Sequence, residues 1–114
     1  MEVHDDGVLL LVTVTGELDM ATVPGVREEL ERCAPGRRAV VLDLRGVTFL
    51  DSTAIRMLLE LRRGAEGERF AVVPPPGEVG RPLDLTGVRP LLRCVAEPRL
   101  AVAPDEPAAG RDGA

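Results

Sequence analysis

The run "VLLLVTVTGEL" divides by parity. Val8, Leu10, Val12 and Val14 fall on one face of an extended segment, and Leu9, Leu11, Thr13 and Thr15 on the other. Both faces are apolar through its first half, which predicts a strand covered on two sides and closed by Gly16. Met1–His4 reads as a shorter strand ahead of it, and the tight-turn sequence Asp5-Asp6-Gly7 joins the two as a hairpin. From about Thr22 the period lengthens. Val23, Val26, Leu30 and Cys33 recur at i, i+3, i+7 and i+10, with Arg27, Glu28, Glu31 and Arg32 off that stripe, which is helical spacing. Pro24 suits the first turn and Pro35-Gly36 ends the helix.

"RRAVVLDL" is a short β-branched run and predicts another strand. Ser52–Arg63 predicts a second helix stopped by Gly64 and Gly67, and "RFAVV" a further strand stopped by Pro74-Pro75-Pro76. "RPLDLTG" reads as a short helix with Pro82 near its start and Gly87 as its stop. "VRPLLRCV" supplies a last short strand or turn. The order β-β-α-β-α-β-α implies an α/β fold: a small mixed sheet with an N-terminal antiparallel hairpin, parallel βαβ units with right-handed crossovers, and helices packed on the sheet. One domain is expected over residues 1–103, followed by a disordered tail of Pro, Ala, Gly and charge over 104–114.

Composition narrows the function classes. The chain has 114 residues, enough to bury a real core, yet Phe49 and Phe70 are its only aromatics. Leu, Val, Ala, Ile and Met must therefore build the interior, and stacking platforms for single-stranded nucleic acid are lacking. A net charge of −5 also disfavours attraction to phosphate backbones. Cys33 and Cys94 form no motif and His4 stands alone, so two reduced thiols and no metal site or cofactor are expected. No segment is long and apolar enough to span a membrane, and no signal sequence opens the chain. A cytoplasmic protein without nucleic-acid or membrane partners is expected.

Two stretches carry candidate chemistry. On a wheel of "FLDSTAIRMLLELRR", Ser52, Thr53, Arg56, Glu60 and Arg63 share an arc of about 100°. Ala54, Leu58, Leu61 and Ala65 lie opposite, with Met57, Ile55 and Leu59 on the flanks. The hydroxyls therefore face solvent beside Arg56 and Glu60. Asp51 or Ser52 at this position is a helix cap; equally, a helix start tolerates an added phosphate. The second stretch, "TGELDMAT", places Gly16 in a turn, with Asp19 or Thr22 as a cap for the first helix. Glu17 and Asp19 are also a conceivable acid/base pair, and with Ser52 a small hydrolase site. No His, Lys or metal cluster accompanies them, "PPPGEVGRP" lacks the residues of a phosphate loop, and Ser52 lacks the glycines of a nucleophile elbow. An enzyme is not expected.

"VTGELDMATVPGVREEL" and "VVLDLRGVTFLDSTAIRMLLELRR" together resemble the STAS domain of bacterial anti-sigma factor antagonists, and "PLDLTGV" is similar to that family's third-helix segment. The resemblance covers roughly residues 7–95. It implies a regulatory binding module whose unphosphorylated form binds an anti-sigma factor that is also a serine kinase, so freeing a sigma factor. It implies Ser52 as the phosphoacceptor and a PP2C-type phosphatase that resets it. The implied partner surface comprises Gly16, Glu17 and Asp19 with Asp51, Ser52, Thr53, Arg56 and Glu60. Ala54 and Arg56 depart from the family's frequent D-S-S/T-G-L-G, and no regular last helix is expected after Val95. The alternative is a STAS scaffold subunit of a transporter or other signalling complex that is never phosphorylated.

Overall fold

The computed structural model describes residues 1–64 and 67–102. Strands β1 (Glu2–Asp5) and β2 (Leu9–Leu18) form the antiparallel hairpin. Helix α1 (Val23–Cys33) leads to β3 (Ala39–Leu50), and α2 (Ser52–Arg63) leads to β4 (Phe70–Val73). A 3-10 turn and the five-residue α3 (Arg81–Leu85) follow, with Thr86 and Gly87 ending that helix. The sheet order is β1-β2-β3-β4, and β2, β3 and β4 run parallel.

The hairpin turn is held by its own carboxylates. Asp5 accepts from the Gly7 amide at 3.0 Å, and Asp6 from those of Val8 and Leu9 at 2.9 and 2.8 Å. Two crossovers of one hand, stepping the same way across the sheet, put both long helices on one face. There Val23, Val26 and Leu30 of α1 and Ala54, Met57 and Leu58 of α2 bury Leu10, Val12, Leu42, Leu44 and Val72. The other face carries Ala39, Val41, Ala71 and Val73, which Ala101 and its neighbours cover as the chain returns beneath the sheet. Residues Ala39 to Leu44 of the central strand are consequently buried without a break.

The predicted order holds, with three differences. Gly16 does not close β2. It takes φ +82 inside the strand, at a register shift, and the ladder continues to Leu18. The partner strand β3 runs on to Leu50 for the same reason: Gly46, Val47, Phe49 and Leu50 pair with Thr15, Gly16, Glu17 and Leu18. A Cβ at Gly46 would stand 2.8 Å from Thr15 Cγ2, so a larger residue there would have to displace the exposed Thr15 side chain opposite it. Third, Met57 is fully buried while Leu61 is only half-buried. Leu61 borders a cleft of about 300 Å³ between α1 and α2, so no neighbour closes over it.

"VRPLLRCV" contains both a turn and a strand contact. A 3-10 turn at Arg89–Leu91 precedes a parallel bridge from Cys94 to Val72, with Val72 N–H donating to Arg93 O and Val95 N–H to Val72 O, each 2.9 Å. After Val95 the described chain has one 3-10 turn, Pro98–Ala101, and no longer helix. Ala65 and the expected tail over 104–114 lie outside the described residues. Among the described residues no helix is long and apolar enough to cross a membrane.

Candidate functional site

The sequence left open which residue caps α2. The backbone settles it. Asp51 is extended (φ −119, ψ −173), and its Oδ1 accepts from the Thr53 and Ala54 amides at 2.9 and 3.1 Å. Ser52 is the first helical residue, exposed, and its hydroxyl has no hydrogen-bond partner among the described residues. Thr53 is half-buried beside it. The carboxylate satisfies the orphan amides of the first turn, so the hydroxyl is not spent on folding.

The turn after β2 stands directly alongside. Asp51 N–H donates to Leu18 O at 3.4 Å, and Leu18 and Leu50 are neighbours in the parallel ladder. Asp19 builds the turn rather than capping α1: its Oδ1 accepts from the Ala21 and Thr22 amides at 3.0 and 3.2 Å, while its own N–H donates to Thr22 Oγ at 2.9 Å. Thr22 occupies the cap position of α1, but its hydroxyl donates back to Glu17 O at 3.0 Å and does not cap the helix. Glu17 projects from the strand end, exposed and without a side-chain partner among the described residues.

Of the predicted site residues, the fold brings together Gly16, Glu17, Asp19, Asp51, Ser52 and Thr53 at the carboxyl end of the parallel strands, with Arg56 one helical turn along α2. Arg56 is exposed and has no partner among the described residues. Glu60 is set apart. It lies two turns, about 12 Å, from Ser52 along the helix, and ion-pairs with Arg27 of α1, which also reaches Glu31 at 3.7 Å.

Two residues at this edge escaped the sequence reading. Phe49 is 50% exposed and is the ladder partner of Glu17, so the two share a side of the sheet; Met20, in the turn, is 72% exposed. The only signal was a large apolar residue at a strand end and another among turn residues. Neither shows exposure without the tertiary fold.

Hydrolytic chemistry finds little support. Asp19 is committed to its turn, and no base hydrogen-bonds Ser52 among the described residues. Burial pushes the thiols of Cys33 and Cys94 up, aided at Cys33 by Glu29, so neither is a ready thiolate.

A four-stranded mixed sheet with its crossover helices on one face and an uncommitted serine at a helix start defines a small α/β domain whose candidate site is an open surface rather than a cleft. The chain belongs to the STAS domain family, whose model matches residues 1–101. Its fold matches an anti-sigma factor antagonist from Mycobacterium paratuberculosis with a TM-score of 0.74 and 31% identity, covering 88% of this chain and 87% of that one. It also matches the anti-sigma factor antagonist SpoIIAA in its unphosphorylated form, TM-score 0.68, over 96% of each chain; at 16% identity that is a likeness of fold. A STAS-domain containing protein of Pseudomonas aeruginosa is 43% identical over 67 residues, 59% of this chain and 66% of that protein, so this chain spans just under two thirds of that relative's length.

Proposed function

We propose that this chain is an anti-sigma factor antagonist, a cytoplasmic binding module rather than an enzyme. Unphosphorylated, it binds an anti-sigma factor that is also a serine kinase, and so releases a sigma factor. The kinase then transfers the γ-phosphoryl group of ATP to Ser52 Oγ, ADP leaves, and the hydroxyl proton passes to a base on the kinase. A PP2C-type phosphatase returns the serine. The observation that carries this reading is Ser52: an exposed hydroxyl at the start of α2, excused from capping by Asp51, beside the Gly16–Asp19 turn.

The surroundings suit a docked protein. Met20 and Phe49 offer exposed apolar area, and Glu17, Ser52 and Arg56 supply a polar margin, the usual pairing of an apolar anchor with a wet rim. A phosphate on Ser52 adds about −1.5 to −2 charges to that margin and disrupts docking by repulsion and bulk.

Incubation with the cognate kinase and ATP is expected to add the mass of one phosphate, and Ser52→Ala to abolish the gain. A kinase that binds the protein yet modifies nothing, or only Thr53, defeats the proposal. Ser52→Asp separates it from the unphosphorylated scaffold: a switched antagonist loses its partner, whereas a scaffold keeps it.

A further inference from the structure

The Arg56 side chain, like those of Arg38 and Arg63, makes no hydrogen bond or ion pair among the described residues. Arg27, Arg37, Arg45 and Arg89 each reach a carboxylate, on Glu60, Asp5, Asp43 and Asp84 respectively. Arg56 reaches none among the described residues, although Glu60, four positions on, lies within reach along the helix in the less favourable order of charges. Arg27 of the neighbouring helix occupies that glutamate instead. In the other direction the Asp51 Oδ1 is held by two backbone amides. The residue one turn back on the same exposed row is Ser52, where side chains four apart approach to about 5–6 Å at Cβ, within easy reach of an arginine.

We propose that Arg56 is the built-in counter-ion of a phosphate on Ser52, so that the modified protein closes an i, i+4 pair across the first turn of α2. The proposal rests on the reading of Ser52 as the phosphoacceptor. Its polarity is favourable, because the anion stands N-terminal to the cation and at the positive end of the helix. The guanidinium fork also matches phosphate oxygens two at a time. The pair holds the phosphate along α2 and offsets part of its charge, so Arg56 sets how strongly the modified form repels its partner.

The test uses the full chain with phosphoserine installed at position 52 by chemical ligation, so it needs no kinase. The second ionisation of the phosphate is followed by 31P NMR at low salt. An exposed pair of this kind is worth a shift of about 0.3 pH units, or about twofold in proton affinity. The phosphate is therefore expected to titrate about 0.3 units lower in the parent chain than in Arg56→Gln. Arg56→Lys should recover part of the difference, and 1 M salt should erase most of it. The helix dipole acts equally on all these forms and cancels in the comparison. Arg63→Gln, exposed on the same face but three turns away, should change nothing. Equal titration of the parent and Arg56→Gln overturns the pairing, and so does an Arg63→Gln shift as large as that of Arg56→Gln. Should the pairing appear while no kinase modifies Ser52, the counter-ion stands and the switch falls.

Discussion

Asp51 and Ser52 are adjacent, both are capable caps, and only one of them caps. D-S-T offers three side chains able to bond a free amide, and the sequence does not choose among them. The choice follows from the backbone: Asp51 is extended where the chain leaves β3, which aims its carboxylate at the first-turn amides. Asp51→Ala is expected to cost about 1 kcal/mol in urea unfolding. Ser52→Ala, exposed and unbonded, is expected to stay within about 0.5 kcal/mol of the parent. Equal losses at the two positions would contradict the division of labour. The exposure of Ser52, Arg56 and Glu60 was legible from helical periodicity, since it depends on one element alone. That Arg27 takes Glu60 was not, because the partner lies 33 residues away on another helix.

At the scale of elements, all four strands and the three α-helices could be read from period and punctuation, and α2 has the bounds read from its pattern, whereas the ends of β2 and β3 could not be read. β2 and β3 extend one another. Each continues past its predicted end because the other supplies a ladder; Gly16, which looked like a stop, accommodates a bulge, and Gly46 lies opposite Thr15 in the extended ladder. This shared extension carries the Gly16–Asp19 turn up to Asp51, so the element that sequence reading truncated is the one that assembles the site. The helical wheel erred differently. It assumes a flat wall on one side, but α2 meets both the sheet and α1, which buries Met57 and leaves Leu61 over a cleft. Met57→Ala is expected to destabilise by about 2–5 kcal/mol and Leu61→Ala by less than about 1.5 kcal/mol, measured by denaturant unfolding. The reverse ranking would mean that the wheel describes the packing better.

Across the whole molecule, the hairpin is tied to the loop after α1 by Arg37, which donates to both oxygens of Asp5 at 2.7 and 2.8 Å. Arg37 and the Gly7 amide lower the Asp5 carboxyl from its ordinary 3.8 to about 2. A group depressed in the fold stabilises it above its unfolded value and loses that contribution as pH falls through the folded one. Stability should therefore decline between about pH 4 and pH 2, and less steeply in Asp5→Asn, as followed by urea midpoints across that range. The slope will not vanish. The Leu9 and Val8 amides lower Asp6, and Asp43 is lowered too: burial alone would raise it, but Arg45 outweighs burial. The Asp5–Arg37 pairing was not legible, because an acid and a base 32 residues apart carry no periodicity, whereas Asp6 and Asp43 are held by partners two or three residues away.

The separate duties of Asp51 and Ser52 also bear on how such a protein changes over generations. A residue that both capped and signalled could not be altered without weakening the first turn of α2. Here the fold is indifferent to position 52. A lineage can discard the hydroxyl, exchange it for threonine or fix an acid there at almost no structural penalty, and later regain it by a single substitution. Selection on that residue is then selection on signalling alone, and descendants that keep the domain while abandoning the switch lie one mutation away.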